Sequence, residues 1–134
     1  MDHDEFIGTV QQRADLAGRG EADSATRAVL TTLGQRITEE EAEDVAAQLP
    51  MEIGRYLNDD VEHGQQFDFP TFKQRVADTA EASDVEDDPE TAAQAVASVA
   101  VEATGTGQIQ DVVSQFPENE GYGGLLAGVE EAET

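Results

Sequence analysis

The heptapeptide Asp44-Val45-Ala46-Ala47-Gln48-Leu49-Pro50 is answered by Asp111-Val112-Val113-Ser114-Gln115-Phe116-Pro117 at an offset of 67 residues. In both stretches apolar side chains recur at three- and four-residue steps and a proline follows, the pattern of a helix that buries one face and then stops. At the same offset Ala25, Ala28, Val29 and Leu33 fall on Ala92, Ala95, Val96 and Ala100. Further back, Phe6, Val10 and Ala14 meet Phe72, Val76 and Ala80 at an offset of 66, so one residue has been gained or lost in a loop. The chain reads as one helical unit written twice, and a repeat of this kind decides the architecture before local preferences are weighed.

Each copy is expected to hold three clear helices and a shorter fourth. In the first, Phe69, Phe72, Val76 and Ala80 share a face, with Asp68 or Thr71 capping the start near Pro70. The second opens on Asp88-Pro89-Glu90 and carries a narrow stripe of Ala92, Ala95, Val96, Val99, Ala100 and Ala103, small enough for close helix approach. Thr38-Glu39-Glu40-Glu41 is a capping box for the third, which also sets carboxylates against the positive end of the helix dipole. Its apolar face is Ala42, Val45, Ala46 and Leu49, matched by Ile109, Val112, Val113 and Phe116. In the fourth, Ile53, Tyr56 and Leu57 correspond to Tyr122, Leu125 and Leu126, but Gly121, Gly123 and Gly124 predict a short or frayed helix in the second copy.

The expected organisation is repeat 1 over residues 1–57, a linker over 58–67 without helical period, repeat 2 over 68–127, and a disordered acidic tail over 128–134. Two Ala-rich bundles bury too little surface alone, so the expected fold is all-α. The two homologous repeats of about four helices each pack into one bundle-like domain with pseudo-twofold symmetry.

Thirty Asp and Glu oppose seven Lys and Arg, a formal net charge of −23, and Lys73 is the single lysine beside six arginines. Disordered acidic chains pair such charge with little apolar periodicity. Here the periodicity is strong, which favours a folded protein whose surface is tuned to high salt. At about 1 M salt the Debye length is roughly 3 Å, and repulsion that loosens the fold in dilute buffer is screened. Partners of like charge, nucleic acid and acidic lipid, are disfavoured. Solvated cations are expected to associate non-specifically at high salt. Met1-Asp2-His3-Asp4-Glu5 lacks the basic and apolar regions of a signal peptide, and no apolar run approaches a membrane span, so a cytoplasmic protein is expected. The absence of cysteine excludes disulfides, thiolate metal sites and thiol nucleophiles.

The run from Ala25 through Thr26, Arg27, Ala28, Val29, Leu30, Thr31, Thr32, Leu33, Gly34 and Gln35 to Arg36, followed by Glu41-Ala42 and Ala47-Gln48-Leu49-Pro50, resembles the prokaryotic family catalogued as domain of unknown function 2267. His63-Gly64-Gln65 leading into Phe69 and Phe72 is similar to halophilic archaeal members of that family. The resemblance covers most of the chain and implies a small all-helical fold, with no established activity, cofactor or catalytic residue to transfer. The second copy departs most, with Gly105-Thr106-Gly107 in place of the capping box and Phe116 in place of the leucine before proline.

No catalytic, cofactor or metal set stands out. His3 beside Asp2, Asp4 and Glu5 lacks the second helical histidine of a zinc site, and it lies where the second copy has Phe69, a helix-start position over the core. His63 is read as a turn or interface residue. The acidic run Asp84, Glu86, Asp87, Asp88 and Glu90 fails the spacing of a calcium loop and is read as a loop into a helix cap. Gly105-Thr106-Gly107-Gln108 lacks the lysine and preceding strand of a phosphate loop and is read as an interhelical turn. Gln48 and Gln115, beside the prolines, are expected to bond free helix-end carbonyls.

Arginine is the least ordinary feature: Arg13, Arg19, Arg27, Arg36 and Arg55 all fall in the first copy, where pairs such as Asp23 with Arg27 or Glu52 with Arg55 are expected. The favoured function is a non-enzymatic protein-protein interaction module, using a helical face or groove between the copies, with an unknown protein partner or a second copy in a homodimer. The alternative is a small-molecule or anion binder, or an enzyme of unfamiliar type, with Arg27, Arg36 and Tyr56 lining a pocket between the repeats. A binder needs a concave site where polar groups converge. An interaction module needs an exposed apolar patch.

Overall fold

Asp2 opens the first helix, α1 (His3–Arg13), by accepting a hydrogen bond from the Glu5 amide at 2.8 Å. The same device recurs along the chain in the computed structural model, which describes residues 1–125 and 127. Thr38 and Glu41 cap α3 (Glu39–Ala46) reciprocally, at 3.1 and 2.9 Å. Asp68 caps α5 (Phe69–Thr79) through the Thr71 amide, and Asp88 caps α7 (Pro89–Thr104) through the Thr91 amide. Each satisfies an amide that the helix itself leaves unpaired. The remaining helices are α2 (Arg19–Arg36), α4 (Met51–Asn58), α6 (Ser83–Asp87) and α8 (Gln108–Ser114). Among the described residues every regular element is helical.

The prolines and glycines divide these elements as their chemistry requires. Pro50 precedes α4, and Pro117 precedes a single 3-10 turn, Glu118–Glu120. Gly121 then takes a positive φ of 81°, a conformation costly for residues with a Cβ, and residues 123–125 return to helix. The remainder of the short or frayed helix expected there, at Leu126 and from residue 128 on, lies outside the described residues, as does the acidic tail expected over 128–134. Gly105 and Gly107, at φ 66° and 76°, make Gly105-Thr106-Gly107 the turn between α7 and α8. The region expected to be a plain loop at Ser83–Asp87 is instead the short helix α6, pinned by Val85, which is fully buried.

Two long helices form the centre. α2 packs against α1, α4, α5, α6 and α7, and α7 against α1, α2, α5, α6 and α8. Ten of the eighteen residues of α2 and nine of the sixteen of α7 are buried, so both are covered on most sides. The narrow stripe read for the second helix is therefore too narrow: Ala93, Ala97, Ser98 and Val101 are buried beside it, because neighbours surround the helix. Small residues suit such a position, since helices that touch partners all round must approach closely.

Phe6 and Phe72 are both fully buried, as are Val10 and Val76. Burying a side chain of this size contributes about 1.5–3 kcal/mol. A ring cluster of Phe67, Phe69, Phe72, Phe116 and Tyr122 closes one end of the core, with Phe116 and Tyr122 edge to face at 4.7 Å between centroids. Between α4 and α5 the chain runs without helix over 59–68, fastened to the end of α2: the Gly64 amide donates to Ile37 O and the Gln65 amide to Gln35 O, both at 2.8 Å. His63 Nδ1 lies 2.8 Å from Gly34 O. A carbonyl only accepts, so Nδ1 carries the proton in this contact.

Candidate functional site

Beyond its first turn α2 is buried on most of its surface. Gly20, Asp23, Ser24, Arg27 and Thr31, at three- and four-residue steps, remain wholly or partly open to solvent. Two depressions follow this line. The smaller, about 380 Å³, lies between α2 and α4 and is lined by Arg27, Thr31, Glu52, Arg55, Tyr56 and Asp59. The larger, about 760 Å³, lies between α2 and the α5–α6 turn, with Glu21, Asp23, Ser24 and Arg27 facing Glu81, Ser83 and Asp84. Ser24 fixes the far wall by accepting the Glu81 amide at 3.0 Å.

Arg27 and Tyr56, singled out by sequence, come together in the smaller groove, and Arg36 does not join them. Arg36 is nine residues beyond Arg27 on α2, about 13 Å along its axis. Its guanidinium is buried, paired with Glu120 at 2.6 Å and stacked 4.2 Å from the centroid of Phe116. It ties α2 to the 3-10 turn, and the same cluster holds Tyr122, whose hydroxyl donates to Phe67 O at 2.8 Å. Burial first, with the Glu120 charge adding, pushes the Tyr122 phenol well above its ordinary value despite Arg36 beside it.

Arg55 and Thr31 take the places in the groove that sequence did not assign. Arg55 pairs with Asp59 one turn on, at 2.9 Å, and Arg27 approaches Glu81 at 4.0 Å, so the expected partners Glu52 and Asp23 are not the ones used. Both pairs are solvent-exposed, and such pairs contribute only about 0–1 kcal/mol, so either guanidinium can turn to a ligand at little cost. The Tyr56 hydroxyl lies 3.4 Å from Asp23, and its proton is held more tightly than in an ordinary phenol. Burial is the largest cause and Asp23 the next, with Arg27 and Arg55 acting in the opposite sense. Tyr56 therefore remains a neutral hydrogen-bond donor near neutral pH. The groove thus carries two guanidiniums and two hydroxyls beside the carboxylates of Glu52 and Asp59, and the guanidiniums are the groups that can hold and orient an anion.

The other singled-out residues are structural. Gln48 donates to its own helix at Asp44 O, as expected, and also to Gln108 at 2.6 Å, while accepting from Thr106 at 2.8 Å, which joins α3 to the α7–α8 turn. His3 begins α1 and lies 3.6 Å from Asp4. No group of three or more His, Asp or Glu among the described residues is arranged to hold a metal ion. No described helix is long and apolar enough to cross a membrane.

Helices wrapped around a central α2–α7 pair, with polar grooves along α2, define a small all-helical domain among the described residues. The chain matches the model of the family described as "Uncharacterized conserved protein (DUF2267)" over residues 3–121, and it belongs to that family. The match runs from α1 through the 3-10 turn and includes both grooves. No curated protein matches the chain significantly.

Proposed function

We propose that the chain is a non-enzymatic binding protein whose site is the groove of Arg27, Thr31, Arg55 and Tyr56, and that it takes a small anion. One observation carries this: in a chain with only seven Lys and Arg against thirty Asp and Glu, two guanidiniums and two hydroxyls line a single concave groove. Its volume suits a small ligand, and its polar lining supplies orientation rather than apolar burial. The test is titration with succinate at constant KCl, followed by NMR at the amides of these four residues. Saturable shifts confined to the groove are expected, with affinity lowered about tenfold, or about 1.4 kcal/mol, in Arg27→Gln and Arg55→Gln. Shifts that never saturate, or that are unchanged in both variants, overturn the proposal.

A protein-docking face is the second reading. Among the described residues the large hydrophobics exposed are Met1 and Met51, and Met51, 78% exposed, borders a shallow groove with Ala46, Ala47 and Gly54. A lone methionine is less than the contiguous patch that docking demands, which is why anion binding ranks first.

The architecture is read as a duplication with a pseudo-twofold axis between α2 and α7. What supports it is reciprocity: α1 packs on α2 and α7, α5 packs on α7 and α2, and α3 meets α8. The acidity is read as adaptation of a cytoplasmic protein to high salt, in keeping with the resemblance to halophilic archaeal members. The net charge of −23 and the solitary Lys73 favour that reading.

A further inference from the structure

The two depressions along α2 share Arg27 and differ in charge. Toward α4 the walls carry Arg27, Arg55 and the neutral hydroxyls of Thr31 and Tyr56, beside Glu52 and Asp59. Toward α6 the lining holds four carboxylates, Glu21, Asp23, Glu81 and Asp84, and Arg27 is its cation. The two adjoin at Arg27, which lines both, and across their boundary Asp23 is 3.4 Å from the Tyr56 hydroxyl and Glu81 4.0 Å from Arg27. Along the helix axis Glu21 and Arg27 are about 9 Å apart.

We infer that the ligand is a small zwitterion lying along α2, its carboxylate or other anionic end between Arg27 and Arg55 and its ammonium end among Glu21, Glu81 and Asp84. This rests on the anion-groove reading and adds the second charge. A dianion of the same length would place its far end against four carboxylates, and a dication would place one end against two guanidiniums. Opposite charges at the two ends meet the two guanidiniums, set beside Glu52 and Asp59, at one end and the carboxylate-rich wall at the other, and complementarity of this kind sets selectivity more than raw affinity. Ser24 and Ser83 add hydroxyls that accept from an ammonium.

The test uses three probes of one chain length at a single KCl concentration: ε-aminocaproate, adipate and hexamethylenediamine, each titrated by calorimetry and NMR. The zwitterion is expected to bind about tenfold more tightly than either symmetric probe. The double variant Glu81→Gln/Asp84→Asn is expected to lose that preference. Both side chains are on exposed residues, and a circular-dichroism melt checks that the variant remains folded. If adipate binds as tightly as ε-aminocaproate, the zwitterion inference falls and the anion groove stands. If hexamethylenediamine binds most tightly, or no probe saturates, both fall.

Discussion

Gly34 stands where α2 crosses α4. A methyl group at this position would run into the backbone carbonyl of Leu57, which cannot swing aside as a flexible side chain can. Gly54 performs the same service on the other side of α4, where a Cβ would come within 2.7 Å of Ala46 O. The pair lets α4 lie close to both α2 and α3, and that closeness brings Arg55 and Tyr56 alongside Arg27. Gly34→Ala is therefore expected to destabilise the fold by about 1–3 kcal/mol, the usual cost of forcing atoms into a packed contact. Gly20→Ala is the control. Its Cβ meets nothing within 4 Å, and the gain in helix propensity is expected to leave stability unchanged or raised by about 0.5–1 kcal/mol. Urea unfolding at fixed KCl measures both, and a neutral Gly34→Ala would remove the argument for a close crossing.

Helix starts are legible in sequence because a cap and the amide it satisfies are three residues apart: Asp68, Asp88 and the Thr38–Glu41 box all stand where their spacing places them. What a helix faces is not encoded within a turn. Arg36 shares α2 with Arg27, yet Glu120 reaches it from 84 residues away and Phe116 lies under its plane. Arg55 was legible as a cation on a polar helix face, but its place opposite Arg27 depends on the α2–α4 crossing. α6 escaped because a helix of five residues with one buried apolar side chain shows no period. The Arg36–Glu120 contact joins two elements and can be tested as such. Both side chains are largely buried, so Glu120→Ala leaves a guanidinium without its counter-charge and is expected to cost about 3–5 kcal/mol. The double variant Arg36→Met/Glu120→Leu removes both charges and is expected to recover most of that loss. Urea unfolding at high KCl, where exposed pairs are screened, isolates the effect. A loss below about 0.5 kcal/mol in Glu120→Ala would show that the pair is solvated.

At the scale of the whole molecule, a formal charge of −23 has no internal partner set large enough to offset it, since seven basic side chains already serve in pairs or ring contacts. The uncompensated acids repel one another, and that repulsion acts on the folded chain more strongly than on the expanded unfolded one. Salt shortens its range from roughly 10 Å at 0.1 M to roughly 3 Å at 1 M. On the salt-adaptation proposal, the urea midpoint is expected to rise steadily as KCl is raised from about 0.1 M into the molar range. General effects of salt on apolar burial would raise it too, so a charge variant is needed to separate the causes. Glu43 and Asp44 are exposed in the last turns of α3, a helix with no basic residue near its C-terminus, and they lie four residues after Glu39 and Glu40. Glu43→Lys/Asp44→Lys turns two like-charged pairs into attractive ones and sets cations against the negative end of the helix dipole. The variant is expected to exceed the parent by about 1 kcal/mol in dilute KCl, with the two curves converging as screening removes the difference. Parallel curves would assign the salt response to apolar burial, and a midpoint that is flat or falls with KCl would end the proposal that this surface is built for brine.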